Sequence, residues 1–391
     1  MSRNSDKIKN AICQGPEKVP EEILEALKKP TFNVWLVQDK EMLTLVEHMF
    51  YNLNLVTHFK MEPQSLQQFL HTLQDHYRQN PFHNFRHGFC VTQMMYSMIY
   101  LCCLEELLSL EEIVTLMIAA LCHDVDHPGL NNNYQVNACT ELASRYQNNS
   151  PLENHHCAIT MEILSQEQCN IFRHMDPEET RKILEGIAEL ILATDMVHHP
   201  QILRSLQDTQ NFSFSNKDHV TLLKKGLVKL CDLSNEARPA EVAERWADLL
   251  MDEYFLQSDR EKDEGLPVTL YMDRDTVTKE GSQRSFITFL IIPLCEALCQ
   301  IFPQMKVGML QPLMEAKLRY ERQITEASGQ AGAWKRISPS NAPAQGSPAA
   351  LDQTSGEGTG DFTASGCSLL NAQSSDHLPA VSMEVTALVE Q

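Results

Sequence analysis

Apolar residues recur along most of the chain at the spacing of helices. Ile183, Leu184, Ile187, Leu190 and Ile191 fall at i, i+1, i+4, i+7 and i+8, and Val220, Leu223, Leu227 and Leu230 at i, i+3, i+7 and i+10. Each set lies along one face of a helix with 3.6 residues per turn. Comparable stretches predict helices over about 41–58, 64–79, 88–107, 110–123, 153–166, 238–257, 282–301 and 305–326. Pro63 marks the start of the second of these, and Ser109-Leu110-Glu111-Glu112 reads as a capping box with Ser109 as N-cap. No run of alternating polar and apolar positions predicts a strand, and no internal repeat is visible. Ten or more helices in roughly 300 residues predict one compact all-α domain.

The helical pattern stops near residue 328, which divides the 391 residues into a short N-terminal extension over 1–20, a folded domain over 21–328 and a tail over 329–391. The tail is rich in Ser, Gly, Ala and Pro and is expected to be disordered, with the mildly apolar "AVSMEVTALVE" near its end as a segment able to dock on a partner. The first 20 residues are too few for a regulatory module, so regulation is expected through the tail, the metals, dimerisation or location. The formal net charge is −20, and six of the acids lie in 337–391 with no Lys or Arg, which leaves about −14 for the remainder. Such a surface repels a nucleic-acid backbone. A small anion can still bind where a divalent metal reverses the local sign. The twelve Cys form no CxxC pair, and Cys102, Cys103, Cys122, Cys231, Cys295 and Cys299 sit in apolar runs, as buried reduced thiols do. No signal-peptide core opens the chain, and the longest apolar run, 286–302, is interrupted by Pro293 and Glu296 and is short for a membrane span. A soluble cytoplasmic protein is expected, with the nucleus as the other compartment these features allow.

Candidate chemistry gathers where apolar helices begin or end. His83 and His87 lie four residues apart in "PFHNFRHGF", "LCHDVDHPG" follows the run "IVTLMIAAL", and Asp232 closes another apolar helix at "CDLSNEARP". A single such residue usually caps a helix or makes a local hydrogen bond. Three clusters at the ends of buried helices carry polar groups into one interior, where uncompensated charge is costly. A metal ion offsets that charge. Imidazoles and carboxylates without thiolates suit zinc, manganese or iron, and oxygen-rich positions suit magnesium. Asp124, with two oxygens, can bridge two ions, an arrangement common in the cleavage of phosphate esters. Other polar residues have plainer readings. Asp126 is expected to cap the turn, one of His155 and His156 to serve packing or a helix hydrogen bond, and His198 and His199 to form a solvated helix end. Met94, Met95, Tyr96 and Tyr100 are expected in the core.

The ordered motifs "HNFRH", "HDVDHPG", "LENHH", "LATDM" and "DLSNEARP" resemble those of the class I 3',5'-cyclic nucleotide phosphodiesterases over roughly residues 20–325. "NACTELASRY", "SPLENHHC", "EYFLQSDREKDEGLP" and "MDRDTVTK" are most similar to the family-9, high-affinity cyclic GMP type. The resemblance implies an all-α catalytic domain of about sixteen helices and two divalent metals. His87, His123, Asp124 and Asp232 match the ligands of the tighter ion, taken as Zn2+. Asp124 also matches the ligand of a second ion, Mg2+ or Mn2+, whose waters would be held by His127, Glu153 and Thr194. His83 matches the general acid. Gln283 matches the glutamine that binds the purine, Phe286 and Leu233 its two apolar covers, and Asn235, Glu236, Leu250, Tyr254 and Tyr271 other positions lining the pocket. The implied reaction is hydrolysis of cyclic GMP, with cyclic AMP less favoured, by hydroxide held between the metals while His83 protonates the leaving O3′. Glu236 is a candidate to orient the Gln283 amide toward guanine. Family members commonly dimerise, so a homodimer is possible, although no interface is legible in the sequence.

One segment departs from the family pattern. Around the purine glutamine the family reads Gln-apolar-Gly-Phe, whereas this chain reads Gln283-Arg284-Ser285-Phe286. Tyr271 likewise stands where phenylalanine is usual. Purine choice and affinity are therefore open at this stage, as are two rival functions: an HD-type phosphohydrolase of other nucleotides, and a catalytically impaired nucleotide-binding scaffold.

Overall fold

The computed structural model describes residues 19–209 and 211–337. Sixteen α-helical segments, from Glu21–Leu27 to Gln311–Ile337, and no strand occur among these residues. The last helix runs past residue 328 to Ile337; the remainder of the tail and most of the N-terminal extension lie outside the described residues.

The Leu110–Cys122 helix forms the centre. Ser109 caps it through the expected box with Glu112, and every residue from Ile113 to Cys122 is buried. A helix that is apolar all round has to be enclosed. Here the Phe85–Leu101, Pro177–Leu192 and Lys217–Asp232 helices pack around it. Close approach is possible because residue 88 is glycine: a Cβ there would lie 2.8 Å from the Tyr77 hydroxyl and 3.3 Å from the Leu121 carbonyl. The Tyr77 hydroxyl donates to that carbonyl at 2.8 Å. The Phe85–Leu101 and Leu110–Cys122 helices are thereby pinned together close to His87, which precedes Gly88, and His123, two residues after Leu121. Met94, Met95 and Tyr96 are buried, and Tyr100 packs on the same core, as their spacing predicts.

Two predicted helices are divided or extended for local reasons. The 41–58 stretch breaks at Leu53–Asn54, where Asn54 adopts a left-handed φ of 58°, and resumes as Leu55–His58. Conversely, Pro293 does not end its helix. Lys279–Phe286 continues through a π-helical turn, Ile287–Ile291, into Ile292–Ile301. Proline cannot donate a hydrogen bond and its ring crowds the carbonyl four residues earlier. A widened turn just before it relieves that crowding. The continuous Lys279–Ile301 helix is long and apolar enough, by composition alone, to cross a membrane. Ile287, Ile291, Leu294, Cys295 and Leu298 are nevertheless buried in the domain core.

One sequence reading is corrected in this region. His199 is not a solvated helix end: it is 3 % exposed, and neither ring nitrogen has a hydrogen-bond partner among the described residues. The Met196–His198 turn tucks the start of the His199–Asp208 helix inward, and burial followed by the nearby Lys229 charge lowers the pKa of His199 to about 4.

Candidate active site and metal centre

The three mutually packed helices end together. His87 lies in the first turn of Phe85–Leu101, His123 is the C-cap of Leu110–Cys122, and Asp232 is the last residue of Lys217–Asp232. The donor atoms of His87, His123, Asp124 and Asp232 converge there. His87 Nε2 lies 3.2 Å from His123 Nε2 and from Asp232 Oδ1, and 3.3 Å from Asp124 Oδ2. His123 Nε2 lies 3.0 Å from Asp124 Oδ2 and 3.2 Å from Asp232 Oδ1.

This donor set fits a cation. His123 Nδ1 is 3.0 Å from the Ala120 carbonyl, which fixes its proton there and turns the Nε2 lone pair toward His87. Both carboxylates sit at C-terminal ends of helices, where the dipole already places negative charge. Burial opposes a charge on His123, yet Asp124 and Asp232 raise its pKa well above the ordinary value, so the cluster as built attracts positive charge. Edges of 3.0–3.3 Å between donors are those of a small coordination shell with bonds of about 2.0–2.1 Å.

Asp124 also joins His127 and His156 in a second cluster. His156 donates from Nδ1 to the Val125 carbonyl at 2.7 Å, which leaves Nε2, 3.7 Å from Asp124 Oδ1, as an acceptor. Burial lowers its pKa to about 4, so it stays neutral. His127 accepts the Gly129 amide at Nδ1 (3.0 Å), and burial followed by the His83 charge pushes its pKa well down. Its remaining proton is then on Nε2, suited to a water rather than to a metal. Glu153 accepts from Asn132 at 2.8 Å, and burial followed by repulsion from Asp195 raises its pKa to about 8. A nearby cation would remove that proton.

Both clusters open into a cavity of about 740 Å3. His83, Glu153 and Thr194 line it on the metal side; Leu233, Asn235, Glu236, Leu250, Tyr254, Gln283 and Phe286 line the other end. Gln283 is 3 % exposed. Tyr271 is the exception and corrects the sequence reading. It is 71 % exposed and does not line the cavity, because its φ of 66° turns the side chain outward and leaves Met272 to face inward. The pairing of Glu236 with Gln283 is also corrected. The Glu236 carboxylate accepts from the Tyr320 hydroxyl at 2.9 Å and from Arg319 at 3.1 Å. Of the departing pair, Ser285 donates to the Gly281 carbonyl at 2.9 Å, and Arg284 is exposed and does not line the cavity. Asp126, at a φ of 59°, binds Arg78 at 2.6 Å and His155 at 2.7 Å and shapes the turn.

Glu253 and Asp195 escaped the sequence reading, and of the pair His155 and His156, one of them expected to be structural, His156 is the one in the site. Glu253 matters most. One oxygen accepts the amides of Phe82 and His83 at 2.9 and 3.0 Å, and the other takes a very short hydrogen bond from His83 Nδ1. Burial disfavours the His83 charge, but Glu253, Asp124 and Asp232 outweigh it and raise its pKa to about 9. Reciprocally, His83 outweighs burial and lowers Glu253 to about 2. The available signal was spacing: Glu253 follows Trp246 and Leu250 at i+7 and i+3, on the face of the Ala240–Asp263 helix that lines the cavity.

A helical domain with buried imidazole–carboxylate clusters at the floor of an amide- and aromatic-lined cavity belongs among the metal-dependent phosphohydrolases. Residues 82–312 match the model of the 3',5'-cyclic nucleotide phosphodiesterase family, and the chain is a member of that family. It is 55 % identical over 301 residues to the human high affinity cGMP-specific 3',5'-cyclic phosphodiesterase 9A, covering 77 % of this chain and 51 % of that protein. The fruit-fly protein of the same name is 44 % identical over 308 residues, covering 78 % of this chain and 20 % of the fly protein. The chain thus spans about half or less of the length of these relatives. In structure it is similar to the phosphodiesterase domain of the RhoPDE fusion protein of the choanoflagellate Salpingoeca rosetta, with a TM-score of 0.74, 28 % identity, and coverage of 78 % of this chain and 97 % of that one.

Proposed function

We propose that the chain hydrolyses 3',5'-cyclic GMP, in preference to cyclic AMP, to the 5'-nucleoside monophosphate. The observation that carries this is the union in one cavity of the His87–His123–Asp124–Asp232 cluster, His83 and the Gln283–Phe286 pair. The relatives' description as cGMP-specific supports the purine preference.

His87, His123, Asp124 and Asp232 would hold Zn2+, and Asp124 would share a second ion, Mg2+ or Mn2+. When bound, the two cations offset the phosphate's charge and make water acidic enough to act as a nucleophile near neutral pH. The chain's own residues do the rest. Neutral His127 and His156, with Glu153 and Thr194, orient water on the metal side. His83, kept charged by Glu253, delivers a proton to O3′ as the ester bond breaks. Phe286 and Leu233 enclose the purine while Gln283 reads its edge. An amide both donates and accepts, so its rotation sets the choice between guanine and adenine. Glu236 is committed to Tyr320 and Arg319 and does not set that rotation. Free thiols at Cys90, Cys122, Cys231 and Cys295 support a reducing intracellular compartment.

The purified chain should hydrolyse cyclic GMP faster than cyclic AMP, leave a deoxynucleoside triphosphate intact, and lose all turnover in excess chelator with recovery on adding Zn2+ and Mg2+. Turnover of the triphosphate instead would favour the wider phosphohydrolase reading. Nucleotide binding without any chelator-sensitive hydrolysis would favour a scaffold. Because Arg284 faces solvent, Arg284→Ile should change the Michaelis constants for both cyclic nucleotides by no more than about twofold. A larger, purine-selective change would place Arg284 in recognition.

A further inference from the structure

Lys229 is fully buried on the Lys217–Asp232 helix, three residues before Asp232. Its ammonium donates to the Thr194 carbonyl at 2.9 Å, to the Asp195 carbonyl at 3.1 Å and to the Met196 sulfur at 3.7 Å. An ammonium has three protons, and this one spends them all on a single turn. Burial lowers its pKa, against the favourable fields of Asp232, Asp195 and Glu153. Burying a lysine is expensive. Here the cost falls between two walls of the cavity, because Thr194, Asp195, Met196 and Val197 line it on one side and Asp232 on the other.

We propose that Lys229 is a positioning residue that ties the Thr194–Met196 turn to the helix bearing Asp232, and so fixes the wall that must hold the second, weaker divalent cation. This deepens the two-cation reading and rests on it. Two effects of the side chain oppose each other. As a positive charge near the cation site it weakens cation binding; as a strut it strengthens it. Their opposite signs make the test decisive.

The full chain, loaded with Zn2+, is titrated with Mn2+ while free Mn2+ is followed by electron paramagnetic resonance, for wild type, Lys229→Met and Lys229→Gln. If Lys229 is a strut, the dissociation constant for Mn2+ rises about tenfold or more in Lys229→Met. At fixed Mn2+, kcat for cyclic GMP falls by a similar factor, while KM, set at the Gln283 end, stays within about twofold. Mn2+ binding that is unchanged or tighter overturns the proposal, as does a rise in KM without a fall in kcat. Melting temperature and circular dichroism establish which variants fold. Lys229→Gln replaces the ammonium with a neutral amide NH2 that is too short to reach both carbonyls, and is read by the same criteria should Lys229→Met not fold. The titration needs no turnover, so an inactive wild type that binds Mn2+ overturns the hydrolase reading alone.

Discussion

Asp124→Asn is expected to lower cyclic GMP turnover by at least about a thousandfold in a chain that still folds. Asp124 is the one residue common to both imidazole clusters: one oxygen lies 3.0 Å from His123 Nε2, the other 3.7 Å from His156 Nε2. The substitution keeps the side chain's volume and removes its charge. It also replaces one acceptor oxygen by an NH2 group, which presents hydrogens to neighbouring lone pairs. Loss of several kcal/mol of charge stabilisation corresponds, at about 1.36 kcal/mol per decade, to about three decades in rate. Metal analysis of the purified variant should show the second ion gone and the first reduced, with helix content by circular dichroism unchanged. Asp126→Asn, two residues on, is the control. Asp126 binds Arg78 and His155 and should be within about tenfold of wild type. A variant at Asp124 that keeps full metal content and activity within tenfold would falsify the shared-ligand assignment.

The sequence exposed this centre because its ligands terminate apolar helices. His123–Asp124 follows ten consecutive buried residues, and Asp232 ends a one-face pattern, so hydrophobic spacing alone delivers the polar groups to the core. The same spacing made ten helical stretches legible, whereas the count of about sixteen came from the family resemblance and the capping box from Ser109 and Glu112. Other features depend on information that spacing does not carry. Tyr271 sits one residue from Met272, and only a left-handed φ decides which of them enters the cavity. Glu236 lies beside the purine end, but its partners, Tyr320 and Arg319, come from a helix more than 80 residues away in sequence. Glu253 sits in an acid-rich helix whose other acids are mostly solvated, so charge gave no contrast there. His199 looked exposed because His-His-Pro is a common helix entrance, and its burial follows from the inward turn at Met196–His198. Lys229 was hidden inside an amphipathic pattern with other lysines, Lys224 and Lys225, which form surface ion pairs with Glu112 and Glu189. Handedness, distant partners and buried charge are tertiary properties, and each of these misses is of that kind.

Glu253→Gln is expected to cut kcat by up to about tenfold at neutral pH and by more as pH rises, moving the basic limb of the pH–rate profile to lower pH. His83 must carry a proton to act as the acid, so activity is lost as pH rises through its folded pKa. That pKa is raised to about 9: burial opposes the charge, and Glu253 leads the groups that restore it. Asp124 and Asp232 also contribute, but bound cations neutralise them and leave Glu253 as the main support in the loaded enzyme. Glutamine keeps an oxygen for the Phe82 and His83 amides, so the local backbone should hold. Toward His83 Nδ1, however, it offers an NH2 group that disfavours the imidazolium. Removing one close opposite charge lowers the pKa by roughly one to three units, which shifts the limb down and depletes the acid at neutral pH. Loss of a general acid is worth roughly a hundred- to ten-thousandfold, and His83→Gln should show the full loss with no basic limb at all. The leaving group supplies the cross-check. An activated aryl phosphodiester expels its oxygen without a proton, so Glu253→Gln and His83→Gln should slow it far less than cyclic GMP, while Asp124→Asn should slow both substrates alike. Equal losses on the two substrates for the His83 variant would assign that residue to binding and not to proton transfer.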